Sequence, residues 1–144
     1  MQPSLVEVAQ ESLRTLLASS STALVARCLE VAPYLHVATP GDEPEVRSRV
    51  RFSVIEVLRG SLAETDITGD VAGGTWQAIQ TTSSHGAVYS AGQDYLLLPR
   101  RTLPGQQITI PDDDLSVAAL TEFSVNYMGK TFPRTAIPAL EEAQ

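Results

Sequence analysis

From Val46 the chain alternates. Val46, Ser48, Val50, Phe52 and Val54 fall on one parity, and Arg47, Arg49, Arg51 and Ser53 on the other. A period of two is the signature of a strand with one buried and one solvated face. Ile55 and Val57 then follow on the parity of the arginines. The outer face is therefore expected to pass from a solvated zone into a covered one. One long strand serving two zones is typical of barrels and strongly bent sheets.

The remaining pattern is mostly strand. Ser4 and Glu7 have capping-box spacing, and Leu5, Val8, Ala9, Leu13, Leu16 and Leu17 follow at helical spacing, which predicts an N-terminal helix. Residues 23–31 are rich in Val and Leu, and Pro33 is expected to stop that strand. Residues 39–44 hold two prolines and a glycine and read as a loop. Residues 65–71 read as a weaker strand. Gly73 and Gly74 open a polar stretch that runs to about Ser84. Residues 87–90 and 94–99, hinged at Gly92, are strand-like, as are residues 106–110 and 123–128. Residues 112–120 begin with three aspartates and are expected to form a short helix, because acids favour helix N-termini. Pro133, Pro138, Glu141 and Glu142 mark a loose tail.

No regular alternation of strand and helix is present, so a doubly wound parallel sheet is not expected. The expected organisation is a helix over residues 1–20 packed on a domain of residues 21–128, followed by an extension over residues 129–144.

Three stretches carry a resemblance to a known family. Phe52-Ser-Val-Ile-Glu-Val-Leu-Arg-Gly60 resembles an F-x-V-x-E-V-L-K-G strand end. Val71-Ala-Gly-Gly-Thr75 resembles the glycine pair after the next strand. Tyr89-Ser-Ala-Gly-Gln-Asp-Tyr-Leu-Leu-Leu98 resembles an F-x-x-G-x-E-Y-L-L-F segment. The family is a bacterial domain related to netrin-like modules and to the tissue inhibitors of metalloproteinases. Leu120-Thr-Glu-Phe-Ser-Val125 is similar to its last strand, so the likeness covers about residues 4 to 126. The resemblance implies a mainly β fold: an OB-type, five-stranded Greek-key barrel with an N-terminal helix and a short C-terminal helix. The animal modules are stapled by disulfides, and the metalloproteinase inhibitors chelate metal through an N-terminal cysteine. Cys28 is the single cysteine here, so neither the staples nor that mechanism transfers.

Composition narrows the function. At 144 residues one core is sufficient without disulfides or metal. The net charge of -7 repels phosphate backbones and makes nucleic acid an unfavoured partner. No apolar run is long enough for a membrane span. The first residues lack the basic flank of a signal peptide, so the expected location is cytoplasmic, with a mature secreted domain as the alternative.

Candidate chemistry is sparse. Ser83, Ser84, His85 and Asp94 supply the residue types of a hydrolytic triad, but no nucleophile elbow surrounds them. Asp112, Asp113 and Asp114 lack the alternate spacing of a calcium loop. Gly73 and Gly74 lack a phosphate-loop context, so a turn or bulge is the reading. Arg47, Arg49 and Arg51 share a strand face without interleaved aromatics, which favours a solvated face or an acidic protein partner over a nucleic-acid platform. Trp76 follows the glycine pair in a polar loop and is either folded onto the core or an anchor for a partner. Tyr89, Tyr95 and Cys28 read as core. The expectation is a protein-binding module without catalytic, metal or cofactor groups, in which Trp76, Gly73, Gly74, His85 and the three arginines are the candidate contacts. The alternatives are a small-ligand or nucleic-acid site on the arginine face, and a hydrolase using His85.

Overall fold

The computed structural model describes residues 4–37, 39–60, 62, 64–81, 86–99, 109–111, 113–138 and 140. It is mainly β. A helix, α1 (Leu5–Ser19), precedes β1 (Ala23–His36), β2 (Glu45–Arg59) and β3 (Asp66–Ala72). A short hairpin comes next, β4 (Gly74–Trp76) and β5 (Ile79–Thr81). After it stand β6 (Asp94–Leu97), β7 (Val117–Leu120), β8 (Ser124–Tyr127) and β9 (Lys130–Pro133), and a 3-10 turn over Arg134–Ala136 ends the series. The main sheet has seven antiparallel strands in the order β3-β2-β1-β6-β7-β8-β9, and β4 pairs only with β5. The sheet is open: among the described residues no pairing joins β3 to β9.

The apolar run at the start of β1 has a simple cause. Ala23 and Val25 enter a core beneath α1, while Leu24, Ala26 and Cys28 enter a second core on the other face. Leu96 and Leu97 of β6 divide in the same way. A strand covered on both faces needs apolar residues at every position. The first core takes Ala9, Leu13 and Leu17 from successive turns of α1, and Ser4 caps that helix by accepting the Glu7 N–H at 3.1 Å. The second core centres on Phe52, Tyr89 and Tyr95, packed edge to face with centroids 5.0 to 6.1 Å apart. Ile110 seals it against β3, where a side chain at Gly69 would stand 2.4 Å from the isoleucine.

Several expectations are corrected. Pro33 does not stop β1. Pairing with β6 ends at Arg27, so around Pro33 β1 pairs only with β2, and a proline on a one-sided stretch removes no ladder bond. Residues 117–120 are not helix but β7, a strand flanked by β6 and β8. Asp113 accepts the Ser116 N–H at 3.1 Å, so the local bond expected of a helix cap closes a turn instead. Asp112 lies outside the described residues. Residues 87–90 form no strand. The stretch read as a loose tail contributes β9 and places Phe132, Ile137 and Leu140 in the first core.

The outer face of β2 also behaves differently. The register skips from Val54 opposite Ala26 to Glu56 opposite Val25, so Ile55 is a bulged residue, and it is 51% exposed. The bulge resets the alternation and sets Val57 opposite Leu24. Ile55 and Val57 therefore do not carry the arginine face into a covered zone, but Leu58, packed against the first core, does.

Candidate functional site

Two surfaces carry the candidate residues. The first is built by the corner from β3 into the hairpin. Gly73 donates its N–H to the Val46 carbonyl at 3.0 Å, and the Ser48 hydroxyl donates to the Gly73 carbonyl at 3.0 Å. The Val46 N–H donates to the Thr81 hydroxyl at 2.8 Å. Three bonds thus hold the hairpin to β2. Gly74 has a φ of 131°, and a side chain there would meet the Ser48 hydroxyl at 2.7 Å. Only glycine fits both demands. The glycine pair is a structural corner, as its turn reading implies.

Trp76 stands opposite Ile79 across the hairpin, so the two share one face. Trp76 is half-buried and belongs to neither core, and Ile79 is exposed. A cleft of about 270 Å³ lies between this hairpin and the sheet, with Val31, Val50, Val71 and Tyr89 in its walls. Val88, 83% exposed, lies on its rim. Ser83, Ser84 and His85 lie outside the described residues. Asp94, the acid grouped with them, is held by Arg27 through two bonds of 2.8 and 3.3 Å. Among the described residues no three His, Cys, Asp or Glu side chains gather as metal ligands.

The second surface is the outer face of β1, β2 and β3. It lies beyond the part of the sheet that α1 covers. Arg47, Arg49 and Arg51 point there, as their parity predicts. The expectation that no aromatic accompanies them is corrected. Leu29 has no partner in the register between Cys28 opposite Phe52 and Glu30 opposite Arg51, so β1 also bulges. That bulge shifts the phase of β1 and sets Tyr34 opposite Arg47. The guanidinium of Arg49 lies 4.9 Å from the centroid of the Tyr34 ring. His36 meets the same ring edge to face at 6.5 Å.

Asp70 of β3 locks this cluster. It accepts from Arg47 Nε at 2.6 Å and from the Tyr34 hydroxyl. Burial pushes the Asp70 carboxyl up, but the bonds from Tyr34 and Arg47 and the charges of Arg47 and Arg49 outweigh it, and the net direction is down. The bond to Asp70 raises the Tyr34 hydroxyl. Sequence reasoning misses Tyr34 and Asp70, because each joins the arginines only through strand register.

Cys28 is fully buried, and that burial raises its thiol. Tyr89 and Tyr95 are core residues: Tyr89 donates to the Pro111 carbonyl at 2.6 Å, and Tyr95 accepts the Ser90 N–H at 2.8 Å.

No helix of the described residues is long and apolar enough to cross a membrane. Comparison with protein-family models, curated proteins and solved structures finds no match to this chain.

Proposed function

We propose that this chain is a non-catalytic protein-binding module that engages its partner through the β4–β5 hairpin. The observation that carries the reading is the Trp76–Ile79 pair. It joins neither core, and it sits on a hairpin that pairs with no strand of the main sheet. Tryptophan is among the residue types most enriched where binding energy concentrates, and a neighbouring aliphatic residue helps to exclude water. The base of the hairpin is anchored, because hydrogen bonds at Gly73 and Thr81 tie it to β2.

The netrin-like, OB-type reading of the fold belongs to the same proposal. Its support is the run β3-β2-β1-β6-β7, bulged in β1 and β2, since OB barrels are partly open Greek-key sheets.

The test is capture from the host's lysate with the full chain, comparing wild type with Trp76→Ala and Ile79→Ala. A specific protein retained by wild type and lost from both variants is the expected result. Identical captured sets would overturn the assignment to this hairpin.

A further inference from the structure

The arginine face holds a second, independent feature. Arg47 is consumed by Asp70, but Arg49 and Arg51 take part in no salt bridge or side-chain hydrogen bond among the described residues. Both are exposed, and they flank a groove of about 480 Å³ whose wall includes Glu30 and Thr68.

Arg49 is not a freely moving surface arginine. Its guanidinium rests over Tyr34, whose hydroxyl is tied to Asp70, which Arg47 holds in turn. A guanidinium laid on an aromatic ring keeps its N–H edge available and loses less freedom when a carboxylate arrives. Arg51 lies two residues along the same strand face, about 6.5 to 7 Å away at strand rise. Alternate side chains of an extended peptide have that same spacing.

We propose that Arg49 and Arg51, with Tyr34 as a positioning residue, form a binding site for an extended peptide bearing carboxylates at alternate positions. Each guanidinium receives one carboxylate through paired N–H···O bonds. The groove favours a peptide over a nucleic-acid strand for two reasons. Glu30 and Asp70 lie in its wall, where a continuous phosphate backbone meets repulsion. The net charge of -7 also opposes a polyanion more strongly than a ligand of two or three charges. This site goes beyond the hairpin reading and does not depend on it.

The test is fluorescence anisotropy with the full chain and a labelled hexapeptide, amidated at its C-terminus, carrying glutamate at alternate positions. The probes for comparison are the same peptide with glutamine and a labelled oligothymidine. The glutamate peptide is expected to bind, and added salt to weaken it. Arg49→Gln with Arg51→Gln is expected to weaken binding about tenfold, since two exposed ion pairs of up to about 1 kcal/mol each together reach that order. Thermal melting of this variant is expected to match wild type, which separates loss of the site from loss of the fold. Tyr34→Leu is expected to weaken binding, and Tyr34→Phe, which keeps the ring, to restore much of it. Trp76→Ala is expected to leave peptide binding unchanged, so the two surfaces fail or stand separately. The proposal is overturned if the glutamate peptide does not bind, if the glutamine peptide binds equally, or if the double arginine variant binds as wild type does. Tighter binding of oligothymidine through the same arginines would overturn it in favour of a nucleic-acid site.

Discussion

Tyr34 and Arg47 face each other across the β1–β2 ladder, and both bind the carboxylate of Asp70 on β3. Three strands are thereby cross-linked on their outer face. The contact depends on acid–base state, because the carboxylate accepts both bonds fully only when ionised. A group held below its ordinary value contributes stability above the unfolded carboxylate's pKa, near 3.9, and that contribution is lost as pH falls through the folded value. Asp70→Asn is therefore expected to lower the melting temperature at neutral pH, with the gap to wild type closing below about pH 4. The effect is small, roughly 0–1 kcal/mol, because the pair is partly exposed and screened by solvent. A gap that widens on acidification would contradict this account.

The buried face of α1 gives a larger effect. Leu13 is fully buried, while Leu16 is 37% exposed. Leu13→Ala is expected to cost about 2–5 kcal/mol in denaturant unfolding. Leu16→Ala is expected to cost far less, close to the roughly 0.5 kcal/mol typical of surface positions. Equal losses would mean that the helix packs on a different face.

Gly69 and Ile110 form a fitted pair. Gly69→Ala forces the alanine methyl against the isoleucine and is expected to destabilise by about 1–3 kcal/mol. Ile110→Ala removes the obstacle, so the double variant is expected to be more stable than the sum of the two single losses predicts. Strict additivity in a double-mutant cycle would show that the two residues do not touch.

Cys28 is buried at 0% exposure, and burial raises its thiol. Thiol reagents at mildly alkaline pH are expected to leave it unmodified in the folded protein and to titrate it fully in denaturant. Rapid labelling of the native chain would place Cys28 outside the core.

The sequence made some of this legible and hid the rest for physical reasons. The parity of β2 from Val46 to Phe52 identifies the inner face, because alternation is a local property. The helix is marked by Ser4 and by apolar spacing, although packing fully buries only Ala9, Leu13 and Leu17. Bulges are where local reading fails. Leu29 and Ile55 each add one residue, and each switches the downstream side chains to the opposite face. Tyr34 reaches the arginines for that reason alone. Residues 117–120 mislead differently: an aspartate that closes a turn and an aspartate that caps a helix make the same local bond, and pairing with β6 and β8 decides between them.

The central claim is that the hairpin meets a partner, and site-specific photo-cross-linking in the host cell tests it most directly. Thr75 is exposed on the hairpin, and Thr131 is exposed on β9, the edge strand at the other end of the sheet. A photoreactive residue at Thr75 is expected to yield a discrete heavier adduct that disappears when Trp76→Ala is added, while the same residue at Thr131 yields none. Adducts of equal yield from both positions, or an adduct at Thr75 that survives Trp76→Ala, would contradict the account.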